Sequence, residues 1–426
     1  MTGDARDEPP GLVGRYLELG LSLGRHVDGL VDAYYGPAPL AARVAGQPLR
    51  PPAGLVADAR RLVAGLDGGE PLDGIDADRI PPGGGAGEAT QRRRWLRAQV
   101  VGLLTTARRL AGEPIDYSEE VYSCYGVRPR LVTEDELAGA HRRLDEALPG
   151  VGPLVERFVT WREAHAVAPD RLVGAVHGLL DELRGRTQAI ALLPDGEHVE
   201  VELVTGQPWA GFNTFLGGLR SRVAINVDLP VLSTSLAHLV AHEAYPGHHT
   251  EHCRKEIGLV RRRHWLEETI FLVGTPQCLL AEGLADLGLQ VVAGPVPEPM
   301  VAGVLRPLGI RYDAEVVAAV AGASETLSAV RGNAAWRLHA EGADPDAVID
   351  DMARWALLAR PRAAKAVEFL LHPIWRAYVS CYVEGMPLCR RFVAGDPARF
   401  ARLVTEQLVP ADLVPADLAP GDLAEA

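Results

Sequence analysis

The sequence predicts a mainly α-helical protein with one small antiparallel sheet, on three observations. Apolar residues recur at helical spacing along most of the 426 residues. Two short stretches, His198 to Val204 and Arg222 to Asp228, alternate polar and apolar residues as half-buried strands do. Proline and glycine punctuate the chain between these segments.

Taken in order, a short disordered lead precedes an amphipathic helix from Leu12 to Tyr35, which Gly36-Pro37 ends. A second helix covers Leu55 to Leu66. Residues 81–87, Pro-Pro-Gly-Gly-Gly-Ala-Gly, form a loop before a basic helix from Gln91 to Ala111. Arg92, Arg93 and Arg94 read there as a solvated first turn rather than an anion patch. Further helices fit Thr133 to Leu148, where Thr133 and Glu136 make a capping box, Pro153 to His165, and Pro169 to Gly185. The period then changes to that of the two strands. Gly206, Gly211, Gly217 and Gly218 between them suit a loop joining an antiparallel pair. Ser233, Thr234 and Ser235 offer N-caps for the helix that follows. The remainder is helical: Trp265 to Val273, Pro276 to Val292, Glu315 to Gly342, Asp344 to Leu358, and one or two helices within Arg362 to Val393. Three prolines at a five-residue period, Pro410, Pro415 and Pro420, preclude a continuous helix and suggest a flexible tail. Three regions result: 1–195, N-terminal and helical; 196–400, holding the chemistry; and 401–426, the low-complexity tail.

Hydrophobic residues at 47% and charged residues at 23% suit a chain that buries a large core. The net charge of −13 argues against nucleic acid or an anionic membrane as the main partner. Five scattered cysteines without a Cys-x-x-Cys pair read as reduced, buried thiols. The polar N-terminus lacks the apolar core of a signal peptide, and no apolar run is long enough to span a bilayer. A cytoplasmic location is expected.

The chemistry concentrates between Ala241 and Cys253. Four of the thirteen histidines, with Glu243, fall within eleven residues there. A His-Glu pair on a helix, with another histidine further on, is what a zinc hydrolase needs: imidazoles hold the ion and the glutamate takes a proton from water. The usual second histidine stands at i+4, about 40° around the axis. Here i+4 from His242 is Pro246. On a regular helix His248 lies about 120° off the His242 face, whereas His249 returns to within about 20° of it. Pro246 removes an amide and Gly247 adds freedom, so a bulge or break can instead bring His248 to the i+4 place. Both histidines stay open on this ground. His238, at i−4, is a supporting or surface residue, and His252 is expected to be solvated.

His242-Glu243-Ala-Tyr-Pro246-Gly247-His248 resembles the His-Glu-x-x-Pro-Gly-His signature of the family called domain of unknown function 885. That family is similar to the gluzincin zinc peptidases, which implies a mainly helical fold. The resemblance implies His242 and His248 as ligands of one Zn²⁺ ion and Glu243 as general base, and it favours His248 over His249. Ala281-Glu282-Gly283-Leu284-Ala285 resembles the family's Glu-Gly-Trp-Ala, which implies Glu282 as third ligand, with Leu284 in place of tryptophan. Asn226 matches the strand before the site. Arg331 and His339 match an Arg and His-Ala-x-Gly pair, with Ala335 where an acidic residue is common. Ala377-Tyr378 through Tyr382-Val383-Glu384-Gly385 matches the C-terminal Tyr-x-x-Gly. Tyr382 is then a candidate oxyanion donor, and Asn226, His249, Arg331 and His339 are candidates for substrate contact or ligand support. The N-terminal half matches loosely, through Asp32-Ala33-Tyr34-Tyr35-Gly36-Pro37.

The expected function is zinc-dependent hydrolysis of a peptide or small amide. The alternatives are a metal-dependent hydrolase or lyase on a non-peptide substrate, and a metal-retaining binding protein without turnover.

Overall fold

The structure, a computed structural model, describes residues 11–73, 86–207, 209–372 and 375–414. The lead before residue 11, residues 81–85 of the proline-glycine loop and the tail repeats from 415 lie outside the described residues. The chain is mainly helical, as its apolar periodicity requires, with two small sheets.

The first helix, α1 (Gly11–Gly24), buries Leu12, Val13, Tyr16, Leu17, Leu19 and Leu23 on one face. It does not run to Tyr35. The chain turns after Gly24, whose added Cβ would lie 2.6 Å from Val31 Cγ2, and passes through Gly29 at a φ of +78°. Val31–Tyr34 then forms strand β1. Its antiparallel partner is β5 (Ile270–Leu272). Trp265 to Val273 is therefore not helical: a 3₁₀ turn, Leu266–Thr269, leads into β5, where Ile270 and Phe271 favour strand.

Helices α2 (Ala38–Gly46), α3 (Pro52–Asp67), α4 (Ala86–Leu110) and α5 (Tyr117–Tyr125) follow. Arg92 on α4 is not a solvated residue. Its guanidinium is buried and binds Glu267 and Asp73 in paired hydrogen bonds of 2.6–2.8 Å. Next come α6 (Glu134–Ala147), which opens on the expected Thr133/Glu136 capping box, α7 (Leu154–Glu163) and α8 (Pro169–Ala191).

The second sheet corrects the expected antiparallel pair. Strands β2 (His198–Val204), β3 (Gly211–Gly217) and β4 (Arg220–Asn226) lie in the order β2-β4-β3. The two alternating stretches, β2 and β4, run parallel. The stretch between them, expected as a loop, supplies β3 through Phe212-Asn213-Thr214-Phe215 and pairs antiparallel with β4. Gly218 and Leu219, both at positive φ, make the two-residue turn between β3 and β4. Having reversed direction twice, the chain enters β4 along the direction of β2.

Two helices, α9 (Ser233–Glu243) and α10 (His248–Lys255), carry the histidines. Beyond β5 come α11 (Pro276–Ala293), α12 (Glu298–Leu305), α13 (Ala314–Ser328), α14 (Val330–His339), α15 (Pro345–Trp355), α16 (Arg360–Leu371), α17 (Val379–Val393) and α18 (Pro397–Leu403). The stretch expected from Glu315 to Gly342 is thus two helices, broken at Ala329.

Apolar side chains gather into two cores. The larger unites α1, α3, α4 and α5 with α11 and α13 to α18; the smaller lies beneath α8, α9, α12 and the β2-β4-β3 sheet. Helix α11 contributes to both, with Leu279, Leu280 and Leu284 in the larger and Leu289 and Val292 in the smaller. The chemistry sits at this seam. Residues 401–414, expected to belong to a flexible tail, pack onto the larger core through Leu403, Val404, Leu408, Val409 and Leu413. Their apolar residues find a surface that the repeat pattern alone did not reveal. No single helix among the described residues is long and apolar enough to cross a membrane. All five cysteines are free and buried.

Candidate metal centre

Helix α9 ends at Glu243 because the following residues cannot continue it. Pro246 lacks a donor, and Gly247 turns back so tightly that its amide bonds the carbonyl of Ala241 at 2.9 Å. A Cβ on Gly247 would stand 2.0 Å from the carbonyl oxygen of His242, so this close approach admits only glycine. The chain restarts as α10 with Gly247 as its N-cap. The interruption is a break between two helices, and it sets the direction of each histidine that follows.

His248 returns alongside His242, with their Nε2 atoms 3.1 Å apart. Glu282 arrives from α11: its Oε2 is 3.4 Å from His242 Nε2 and its Oε1 is 4.0 Å from His248 Nε2. One donor atom from each of the three lies within 4.8 Å of the others. Zinc bonds of about 2.1 Å in a tetrahedron separate neighbouring donors by about 3.4 Å, so the spacing fits such an ion. Glu282 Oε2 is buried and makes no hydrogen bond; its 3.4 Å approach to His242 lacks hydrogen-bond geometry. A buried carboxylate oxygen without a donor is costly unless a cation meets it.

The electrostatics point the same way. Burial disfavours charge on His242, but the Asp286 and Glu282 carboxylates outweigh it and hold the imidazole well above the ordinary histidine range. Burial and the His242 charge push His248 down to about 4. His248 is thereby held neutral, the form in which an imidazole can bind a metal ion. Glu243 is also buried, and burial, with Glu282 adding to it, raises its carboxyl to about 7.

Supporting contacts surround the three donors. His242 Nδ1 donates to Asp286 Oδ1 at 2.8 Å, which leaves Nε2 facing Glu282 and His248. Asp286 stands one helical turn beyond Glu282 on α11. His238 is exposed and lies 3.3 Å from the same Asp286 oxygen. His238, His242 and Asp286 form a second possible donor group, but the 2.8 Å contact within it is a hydrogen-bond distance, shorter than the donor separation around a zinc ion. From α17 side, the Tyr378 hydroxyl donates to Glu282 Oε1 at 3.0 Å and lies 2.9 Å from the Tyr382 hydroxyl. Helices α11 and α17 approach this closely through glycines: a Cβ on Gly283 would be 2.4 Å from the carbonyl of Gly385.

The cluster opens into a cavity of about 320 Å³. Trp209, Phe212, Phe271, Phe369, Tyr378 and Tyr382 supply aromatic wall, and Asp32, Glu243 and Glu282 supply carboxylates. His252, expected to be solvated, also lines it and stacks on Phe215 with ring centroids 4.7 Å apart; burial keeps it neutral.

The remaining candidates lie outside this cluster. His249 points the opposite way from His248. It is buried, with Nδ1 2.8 Å from Ser221 Oγ and Nε2 2.8 Å from Glu197 Oε2. The Asn226 amide donates to the carbonyls of Gln207 and Trp209, so it shapes the loop that carries Trp209 into the cavity wall. His339 Nε2 donates to the Leu370 carbonyl at 2.7 Å, and its ring lies against Tyr117. Arg331 is exposed on α14 and does not line the cavity. Sequence reasoning missed Asp286, Asp32 and Tyr378 as cavity or supporting residues. Asp286 was detectable by its i+4 spacing from Glu282, and Asp32 and Tyr378 stood inside motifs already singled out.

No protein-family model matches the chain, and neither does any curated protein. Among solved structures, it is similar to a "putative lipoprotein from Colwellia psychrerythraea", with a TM-score of 0.50 and 17% identity over 84% of this chain. It is also similar to a "putative lipoprotein of unknown function from Shewanella oneidensis", with a TM-score of 0.44, 13% identity, and coverage of 84% of this chain and 72% of that one. The chain spans 65% of the Colwellia protein's length. At these identities the first likeness speaks to the fold alone, and the second carries no argument.

Proposed function

We propose that this chain is a zinc-dependent hydrolase of peptide or related amide bonds. The observation that carries the reading is the convergence of His242, His248 and Glu282 beside Glu243, in an aromatic cavity. The resemblance to the domain of unknown function 885 family and to gluzincins belongs to the same proposal.

One ion would be held by His242, His248 and Glu282, with Asp286 fixing the His242 ring. When bound, zinc lowers the pKa of water to about 7 and polarises a carbonyl oxygen. Glu243, at the C-terminal end of α9 and facing the cavity, accepts the proton of the attacking water on its carboxylate. The same carboxyl then gives that proton to the leaving amine. The Tyr382 hydroxyl, turned to the cavity and linked to Tyr378, donates to the oxyanion that develops on the former carbonyl. Trp209, Phe212, Phe271 and Phe369 flank the reacting groups and limit the access of bulk water. A cavity of about 320 Å³ admits a short peptide or small amide and not a folded protein.

The test is elemental analysis of protein purified without chelator, paired with turnover of a peptide and amide library. One tightly bound zinc per chain and metal-dependent cleavage are expected. Absence of any tightly bound transition metal overturns the proposal. Zinc without cleavage of any amide replaces it with a non-peptide reaction or a metal-retaining binding role.

A further inference from the structure

Asp32 is the acidic residue of the cavity that the reaction just described does not use. It lies on β1, from the far end of the chain, and its direction has a local cause. Val31 pairs with Leu272 and Ala33 pairs with Phe271, so the register slips between them and Asp32 is the extra residue of a bulge. Bulges next to sites re-aim a side chain out of the strand's alternation. Here the re-aimed carboxylate lines the cavity together with Glu243 and Glu282. Asp32 has no hydrogen-bond or ion-pair partner among the described residues. Neither lysine nor arginine lines the cavity among those residues.

Four carboxylates gather about this space: Glu282, Glu243 and Asp32 in the cavity, and Asp286 behind the His242 ring. A divalent ion at the His242–His248–Glu282 cluster offsets two of their charges, which leaves the site negative with Asp32 unengaged. Trp209, Phe212 and Phe369 border the same space, and aromatic faces attract organic cations. The part-buried Asp32 carboxylate is open to the cavity and free to meet a substrate cation there.

We infer that Asp32 is a specificity residue that binds a positively charged nitrogen of the substrate, so the preferred substrates carry an ammonium or guanidinium group near the scissile amide. This rests on the proposed hydrolase function. The cation has two sources, a free N-terminal amine or a basic side chain, and both present the same chemistry to the carboxylate.

The experiment compares wild type and Asp32→Asn on leucine p-nitroanilide, N-acetyl-leucine p-nitroanilide and N-acetyl-lysine p-nitroanilide. Wild type is expected to prefer a cationic substrate over the neutral one by about 10- to 100-fold in kcat/KM, and Asp32→Asn to lose that preference. Preference for the free amine assigns the cation to the N-terminus, and preference for the acetylated lysine assigns it to the side chain. Equal rates on all three, or a preference that survives in Asp32→Asn, overturns the inference while leaving a hydrolase in place. A binding readout serves independently of turnover: L-leucinamide, N-acetyl-lysinamide or both should raise the melting temperature of zinc-loaded wild type more than neutral N-acetyl-leucinamide does, and Asp32→Asn should abolish the difference. Equal effects of all three ligands in wild type, or no change in the variant, also overturn it. The neutral, isosteric amide should fold at least as stably as the carboxylate, and Asp32→Ala provides a second variant should it not.

Discussion

His248 and His249 are neighbours in sequence and opposites in surroundings. His249 closes a network in which Ser221 and Glu197 meet both ring nitrogens, while Arg184 and Tyr245 meet the same glutamate. His248 faces His242 and Glu282, and the Glu282 Oε2 beside His242 has no hydrogen-bond donor. His249 is fully buried and His248 is 13% exposed at the cavity, a small difference beside that in their partners. What separates them is completion: a polar network whose members satisfy one another holds a fold together, whereas one left short of a cation is arranged for a ligand.

The largest expected effect follows from the chemistry beside the incomplete cluster. Glu243→Gln should retain zinc, since Glu243 is not among the three donors, yet lose about 10²–10⁴ in kcat. Full activity in that variant removes Glu243 from the role of base. Next comes the contrast itself. His248→Gln should lose tightly bound zinc, by more than the about 10- to 100-fold expected of a supporting residue, with little change in the melting temperature of the apo-protein. His249→Gln should do the reverse, keeping zinc stoichiometry while losing about 1–3 kcal/mol of stability in denaturant titrations. An exchange of those two outcomes would invert the comparison.

A smaller effect is expected at Asp286, which holds the His242 ring from behind. Asp286→Asn should weaken zinc binding by about 10- to 100-fold in competition with a chromogenic chelator. Unchanged affinity would show that the ring needs no such support. The smallest is a pH effect in the completed network. Burial alone would raise the Glu197 carboxyl, but His249, Tyr245 and Arg184 outweigh it and hold the carboxyl down to about 2. A depressed folded-state pKa stabilises the fold above the ordinary value of 4.5, and that contribution drains away as pH falls from 4.5 towards 2. Glu197→Gln should therefore be less stable at neutral pH and show a shallower loss over this window, measured with chelator present so that zinc release does not intrude. Parallel acid limbs would sever Glu197 from the network's stability.

Much of this arrangement was legible in the sequence because it is local. Helical periodicity identified most of the helices, and the capping box at Thr133 appears as expected. The Pro246-Gly247 interruption was visible as an obstacle to a regular helix, though two histidines remained possible from angles alone. The structure turns His248 towards His242 and His249 towards Glu197 because Gly247 folds back on Ala241, a contact that no spacing rule encodes. What escaped was non-local. Strand β1 was absorbed into a helix because its partner β5 lies more than two hundred residues away. The parallel pairing of β2 and β4 depended on a third strand hidden among glycines. His252 looked solvated until Phe215 and Phe271 arrived to enclose it. Residues 401–414 looked like tail because a repeat pattern does not show what surface it will meet.

The central claim is that His242, His248 and Glu282 hold one metal ion. Anomalous diffraction at the zinc absorption edge, from crystals grown with zinc, tests it most directly. A single strong peak within bonding distance of His242 Nε2, His248 Nε2 and a Glu282 carboxylate oxygen is the predicted result. An empty map at those atoms, or a peak placed instead on His238 and Asp286 or on His249, would contradict the account.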